Sequence, residues 1–206
     1  MGINKITIVN YGMGNLGSIV NMFKRIGIET QVCDNAAGVS KAQKILLPGV
    51  GAFDAAMSRI TAIEGMREIL DQKVLVEKIP LLGICLGMQL LTDGSEEGQL
   101  PGLGYIPGET IRFPVSDELK VPHMGWNLIE EVNPNPLTKD LPEEPRFYFV
   151  HSYYVQVTNP YHRMATTNYG FDFDSVIQRD NLFGAQFHPE KSHKFGMKLL
   201  ENFARL

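Results

Sequence analysis

One short segment of the sequence combines the residue types of a nucleophilic turn. Residues 83–87 read Gly-Ile-Cys-Leu-Gly, at the end of the apolar run 80–84 and before an apolar pattern with helical spacing. This is the G-x-nucleophile-x-G elbow with cysteine as the nucleophile. Flanking glycines permit the tight turn, and the positive end of the following helix favours the thiolate. The pattern predicts Cys85 as nucleophile and the Leu86 N–H as an oxyanion donor.

A histidine and a glutamate near the end of the sequence complete this chemistry. His188-Pro-Glu190 follows the β-rich run 183–187. His188 can serve as general base toward Cys85 and then as general acid toward a leaving group. Since residues i and i+2 of an extended segment share a face, Glu190 is expected to accept a hydrogen bond from the imidazole. Taken alone, each residue also has a structural interpretation, as a buried core cysteine or as a strand-end histidine beside a solvated glutamate.

The elements that must position these side chains alternate along the first half of the chain. Short β-rich runs alternate with segments of helical apolar spacing from residue 6 to residue 84. This alternation predicts an α/β fold with an open, mostly parallel sheet flanked by helices. The run 80–84 is entirely apolar, as is typical of a strand covered on both faces. Short β-rich runs in the second half predict added antiparallel strands. We expect one domain over 1–206, closed by a helix over 192–205.

Composition excludes several classes of function. The 206 residues are 44% hydrophobic and carry a net charge of −4, which does not fit a nucleic-acid-binding protein. No apolar run reaches the roughly 18 residues that span a bilayer, and the first residues lack a signal-peptide core. The two cysteines, Cys33 and Cys85, make neither a disulfide framework nor a zinc site. We expect a cytoplasmic protein without metal or cofactor, in which Cys33 is structural.

A glycine-rich segment near the start favours a different class of protein. Gly12-x-Gly14-x-x-Gly17 follows a predicted strand, opens a predicted helix and precedes Asp34. This spacing matches the dinucleotide-binding fingerprint, so an NAD-binding module is an alternative. The fingerprint explains neither the cysteine elbow nor His188 and Glu190.

A second glycine loop, 48–51, follows an apolar strand and could supply an oxyanion donor.

Seven segments spread over the chain resemble the class I glutamine amidotransferases, and within them the glutaminase subunits of imidazole glycerol phosphate synthase. The elbow and the His-Pro-Glu segment are common to the class, whereas the segments at 121–127 and 148–153 are those of the subfamily. The resemblance implies a flavodoxin-like fold. It also implies an enzyme that hydrolyses L-glutamine to glutamate and ammonia through Cys85, His188 and Glu190. The segments are YGMGNL at 11–16, LPGVGAF at 47–53, GICLGMQLL at 83–91, SEE at 95–97, VPHMGWN at 121–127, YFVHSY at 148–153 and QFHPEKS at 186–192.

The resemblance also implies roles for residues outside the triad. These are an oxyanion loop, a set of glutamine-binding side chains and two positions that face a partner protein. The loop is Gly49, Val50 and Gly51, with Leu86; the glutamine-binding residues are Gln89, His151, Ser152 and Tyr153; the partner-facing residues are Asn15 and Trp126.

In this family the partner is a cyclase (β/α)₈ barrel that forms a heterodimer with the glutaminase and receives its ammonia through an internal passage. The triad pattern occupies all 206 residues, which favours a separate acceptor protein. Asn10, Gly17 and segment 52–54 are similar to a paralogous branch that aminates a sugar precursor in surface-polysaccharide biosynthesis. A cysteine hydrolase on the same fold, which needs no partner, is a further alternative.

Overall fold

The computed structural model describes residues 5–115 and 119–206. Four parallel strands form its first half: β1 (Ile6–Val9) lies between β2 (Thr30–Cys33) and β3 (Lys44–Gly49), and β3 pairs with β4 (Leu81–Cys85). The register pairs Gly49 with Cys85. The ends of β3 and β4 therefore bring the predicted oxyanion loop and the predicted nucleophile side by side.

Both faces of this sheet are covered, as the apolar strands predict. Two apolar clusters cover the sheet, one on each face. Along β3, Ile45 and Leu47 pack into one of these clusters and Leu46 packs into the other. Successive side chains of a strand point to opposite faces, so a strand buried on both sides needs an unbroken apolar run. The covering helices are α1 (Leu16–Arg25), α2 (Ala36–Val39), α3 (Phe53–Ala62), α4 (Met66–Asp71), α5 (Leu86–Leu90) and α6 (His193–Ala204).

Two helices illustrate how the sequence defines these elements. In α1, Ile19, Met22 and Phe23 are buried at the i, i+3, i+4 spacing of one helix face, and the side chain of Asn15 caps the first turn. The chain continues from α4 into a π-helical turn, Gln72–Val76. Residues 65–75 were predicted as one helix, and they form α4 with most of this turn.

The second half extends the sheet with antiparallel strands. β13 (Leu182–Ala185) lies parallel to β4, so the strand that leads to His188 is the direct neighbour of the strand that ends at Cys85. Beyond β13 the order is β12 (Asp172–Arg179), β10 (Tyr153–Val157), β6 (Gly108–Arg112) and β5 (Gly94–Ser95). β11 (Arg163–Asn168) pairs with β12 and with the short β8 (Glu130–Glu131).

A separate two-stranded sheet lies beside the predicted glutamine-binding residues. It consists of β7 (His123–Leu128) and β9 (Arg146–His151), and its register pairs His123 with His151 and Trp126 with Tyr148. One face of β7 is buried through His123, whereas Met124, Trp126 and Leu128 are exposed. No helix among the described residues is long and apolar enough to span a membrane.

The structure differs from the sequence-based elements in four respects. The predicted run 127–132 is split between β7 and β8, and the strands β11 and β12 were not predicted. β13 ends at Ala185, before the predicted end at residue 187. The extended conformation assumed for 188–190 is wrong, because Pro189–Lys191 forms a 3₁₀ turn.

Candidate functional site

Cys85 lies at a strained turn between β4 and α5. Its backbone has φ of +54° and ψ of −110°, a conformation that side-chain-bearing residues rarely adopt. A Cβ on Gly87 would lie 1.8 Å from the Leu47 carbonyl oxygen, and one on Gly83 would lie 2.5 Å from the Gly87 oxygen. Both glycines of the elbow are therefore required by the close approach of the backbone, as predicted.

His188 and Glu190 are held together after β13. The imidazole Nδ1 lies 2.8 Å from Glu190 Oε1, and the His188 N–H donates to the Tyr148 carbonyl at 2.9 Å. The Ser192 hydroxyl donates to the His188 carbonyl at 2.6 Å. The contact predicted between His188 and Glu190 is present, but a tight turn creates it instead of an extended segment.

The electrostatics of His188 reflect its two neighbours. Burial lowers the pKa of the imidazole, but hydrogen bonding and charge from Cys85 and Glu190 outweigh burial and raise this pKa to about 10. Within the described part of the chain, Nε2 makes no hydrogen bond of regular geometry. The sulfur is close enough to stabilise an imidazolium, while the Nε2 proton stays available for transfer.

The predicted oxyanion loop meets the nucleophile at the mouth of the site. Gly51 has φ of +113°, and Val50 is 43% exposed. A Cβ on Gly49 would lie 2.4 Å from the Tyr11 hydroxyl oxygen and 3.0 Å from Leu86 Cβ. The Tyr11 hydroxyl donates to the Pro48 carbonyl at 2.6 Å. Tyr11 thus anchors the start of the loop, a role that the sequence did not reveal.

A cavity of about 410 Å³ joins these groups. It contains nine of the residues predicted to be functional, together with three for which no role was predicted. The nine are Val50, Gly51, Cys85, Leu86, Gln89, His151, Ser152, Tyr153 and His188, and the three are Glu97, Pro122 and Val150. Gly49 and Glu190 lie behind this lining and support it through Leu86 and His188.

Gln186 is a second residue whose role the sequence did not reveal. It is fully buried, its Nε2 lies 3.9 Å from Cys85 Sγ, and its Oε1 lies 3.3 Å from Gln89 Nε2. Gln89 also donates to the Tyr153 carbonyl at 3.0 Å. The available signal was a polar residue within an apolar run, which needs a buried polar partner.

Glu97 connects the cavity to helix α3. Its Oε2 accepts the Phe53 N–H at 2.9 Å, which satisfies a free donor at the helix start. Asp54 in turn accepts the backbone N–H groups of Gln99 and Leu100, each at about 3.0 Å. These bonds hold the Glu97 carboxylate at the edge of the cavity, where it can meet a positively charged ligand group.

The two predicted partner-facing residues differ in their structural roles. Asn15 is exposed and its side chain accepts the Ser18 N–H at 3.3 Å, so it caps α1. Trp126 is 47% exposed and stacks on His193 with ring centroids 5.5 Å apart. An exposed tryptophan on a strand that pairs with the cavity-lining β9 suits a protein contact.

Comparison with known proteins identifies the family. The model of the class I glutamine amidotransferases matches residues 7–206. A curated imidazole glycerol phosphate synthase subunit HisH 2 from Methanococcus maripaludis is 52% identical over 200 residues, covering 97% of this chain and 98% of its own. A protein of the same name from Pseudomonas aeruginosa is 45% identical, covering 98% and 99%.

Solved structures agree at the level of the fold. A glutamine amidotransferase has a TM-score of 0.72 at 18% identity and covers all of both chains. The PurLQS structure from Thermotoga maritima has a TM-score of 0.75 at 16% identity and covers 99% of both. The family model and the curated relatives favour neither the dinucleotide-binding alternative nor a cysteine hydrolase on the same fold. With its cysteine elbow, its buried histidine and glutamate and full-length relatives named HisH, the chain belongs to the class I glutamine amidotransferase family.

Proposed function

We propose that this chain is the glutaminase subunit of an imidazole glycerol phosphate synthase and uses Cys85, His188 and Glu190 as its catalytic triad. The observation that carries the proposal is one cavity lined by both the strained Cys85 and the buried His188, whose imidazole pairs with the buried side chain of Glu190. The relatives at 52% and 45% identity carry this enzyme's name. The match of the family model to residues 7–206 supports a single domain over residues 1–206.

The reaction proceeds through a thioester. The Cys85 thiolate attacks the side-chain amide carbon of glutamine, and the oxyanion forms against the backbone N–H groups near Val50 and Leu86. His188 protonates the departing ammonia. It then accepts a proton from the water that attacks the thioester, and glutamate leaves. Glu190 fixes the imidazole tautomer and stabilises its charged form.

Substrate recognition uses the remaining side chains of the cavity. Gln89, Ser152 and Tyr153 offer polar groups near Cys85, and His151 closes the lining. Glu97 carries the negative charge that suits the α-ammonium group of glutamine. A small polar amino acid matches a cavity of about 410 Å³ with few charged groups.

Ammonia needs an acceptor that excludes water. We infer a cyclase (β/α)₈-barrel partner that forms a heterodimer over the exposed face of β7, with Trp126 and Asn15 at the contact. A docked partner keeps ammonia unprotonated until it reacts. Two free, buried cysteines fit a reducing cytoplasm. The surface-polysaccharide alternative keeps the same glutaminase chemistry with a different barrel, and no curated relative quoted above carries such a name.

A pair of cysteine variants tests the triad. Cys85→Ala is expected to lower glutamine hydrolysis, assayed with the cyclase subunit present, by about 1,000-fold or more. Cys33→Ala is the matched control, because Cys33 is the other buried cysteine and lies outside the cavity. Normal turnover by Cys85→Ala, with the circular dichroism of wild type, would eliminate the mechanism.

The acceptor is tested separately. Purified chain is mixed with a histidine-pathway cyclase or with its surface-polysaccharide counterpart, and ammonia transfer into each product is measured. We expect transfer with the histidine-pathway cyclase. Transfer only with the other barrel would reassign the pathway and leave the glutaminase chemistry intact.

A further inference from the structure

The main-chain carbonyl of Tyr153 is a meeting point of two lines of hydrogen bonds. His151 Nδ1 lies 2.7 Å from this oxygen, and Gln89 Nε2 lies 3.0 Å from it. A carbonyl oxygen only accepts, so each nitrogen must carry the proton that it shares. The two lone pairs of the oxygen are thereby filled, and the carbonyl fixes the orientation of both side chains.

The first line runs from Tyr153 through two buried histidines. Burial lowers the pKa of His151 to about 3 and that of His123 to about 4, so both rings are neutral near neutral pH. A neutral imidazole with its proton on Nδ1 must accept at Nε2. His151 Nε2 therefore accepts from His123 Nδ1, which lies 3.2 Å away.

The same reasoning continues to the surface of the small sheet. Since His123 Nδ1 donates, its Nε2 accepts, and the Asn127 amide lies 3.3 Å from it. The second N–H of that amide donates to the Asn168 carbonyl at 2.8 Å. The amide oxygen of Asn127 accepts the Leu128 N–H at 2.8 Å. Every proton from Asn127 to Tyr153 thus has one position that satisfies all partners.

The second line runs from Tyr153 to the nucleophile. Gln89 donates its other N–H to Gln186 Oε1 at 3.3 Å. This contact turns the amide of Gln186 so that its Nε2 faces Cys85 Sγ at 3.9 Å. An N–H donor beside the sulfur stabilises a thiolate, and Gln186 is fully buried, so no solvent competes for the contact.

We propose that these bonds form one proton-ordered chain, Asn127–His123–His151–Tyr153 carbonyl–Gln89–Gln186, in which His123 and Gln186 are positioning residues for glutamine hydrolysis. The inference deepens the proposed function and rests on it. His151, Gln89 and Tyr153 line the cavity, whereas His123 lies on β7 and acts through His151 on the neighbouring β9. This chain of hydrogen bonds links the strand that bears Trp126 to the substrate cavity.

Nuclear magnetic resonance tests the proton order without relying on activity. In wild-type protein labelled with ¹⁵N in histidine, long-range ¹H–¹⁵N spectra at about pH 7 distinguish the two neutral tautomers from the charged ring. The chain has five histidines, which single-histidine variants assign. We expect His123 and His151 to be neutral with the proton on Nδ1. A proton on Nε2 of either ring, or a charged ring at either position, would overturn the chain.

Kinetics test the positioning role. His123→Phe keeps a ring to stack on Tyr169, whose centroid lies 4.0 Å away, but removes the donor to His151. We expect its KM for glutamine to rise about 5- to 10-fold, the effect of one lost hydrogen bond, with kcat within about 2-fold of wild type. His123→Asn keeps an N–H donor at the position of Nδ1 and is expected to restore most of the KM.

A packing variant separates positioning from stability. Phe149→Leu removes the other ring stacked on His123, at 4.8 Å, and breaks no hydrogen bond of the chain. It should lower the melting temperature without raising KM. An unchanged KM in His123→Phe, or an equal rise in Phe149→Leu, would refute the positioning role. If wild type hydrolyses no glutamine with either barrel, the proposed function fails, and the NMR result still decides the proton order.

Discussion

The imidazole Nδ1 of His188 lies 2.8 Å from Oε1 of Glu190, and the two side chains are only 2% and 3% exposed. Charged groups buried to this extent require a partner, because removal from water costs more than one hydrogen bond returns. Glu190 provides that partner on Nδ1 and Cys85 provides it near Nε2. The pair therefore holds a charged imidazole next to the nucleophile.

Replacing the carboxylate with an amide tests this relationship. Glu190→Gln keeps the size and a hydrogen-bond acceptor for Nδ1 but removes the negative charge, so the imidazolium is less stable. We expect kcat for glutamine hydrolysis to fall about 10- to 100-fold, with a smaller change in KM. Steady-state assays with the cyclase subunit measure both constants. Glu144→Gln, on an exposed side chain paired with Arg146, is the control. A kcat within 2-fold of wild type in Glu190→Gln would contradict the role of the charge.

Because of the same pair, the free energy of unfolding is expected to decrease as the pH becomes alkaline. The pKa of His188 is raised to about 10 in the folded protein from its ordinary value of 6.5. A raised pKa contributes stability that is complete below about pH 6.5 and is lost as the pH rises through about 10. Urea unfolding at about pH 6 and pH 10 should show a decrease in the free energy of unfolding on the order of a few kcal/mol.

Removing the histidine isolates its contribution. In His188→Gln the decrease between these two pH values should be smaller than in wild type, because no imidazolium is left to deprotonate. Lysines also titrate in this range, so the difference between the two proteins, and not either value alone, reports on His188. Equal pH dependence in the two proteins would contradict the charged pair.

How much of the site the sequence could predict depends on the distance between partners along the chain. The elbow at Cys85 and the segment around His188 are local patterns, so their roles followed from spacing and from the resemblance. Tyr11 and Gln186 were missed, because their partners lie 37 and 101 residues away. Strands β11 and β12 were missed because they carry polar residues such as Asp174, which is buried and pairs with the partly exposed Arg163. The burial of Asp174 depends on this tertiary contact, which no local pattern records.

Two glycine substitutions separate close approach from mere flexibility. Gly87→Ala would place a Cβ 1.8 Å from the Leu47 carbonyl oxygen, so α5 or β3 must shift. We expect a loss of about 3 kcal/mol in stability, measured by denaturant unfolding. Gly17→Ala, in α1, meets nothing within 4 Å and should stabilise the fold by about 0.5–1 kcal/mol. Equal effects of the two substitutions would show that the packing at the elbow is looser than described.

The hydroxyl of Tyr11 gives the last prediction, which concerns the base of the oxyanion loop. Burial and the charge of Cys85 raise the pKa of Tyr11, so the hydroxyl keeps its proton and donates to the Pro48 carbonyl at 2.6 Å. Tyr11→Phe keeps the ring but leaves this carbonyl without its donor, at a cost of about 1–2 kcal/mol in unfolding free energy. Because Gly49 and Val50 follow directly, we also expect kcat to fall several-fold while KM changes little. Tyr161→Phe is the control, since its ring is 82% exposed. Wild-type stability and kcat in Tyr11→Phe would show that the loop is held by its glycines and by Leu86 without help from Tyr11.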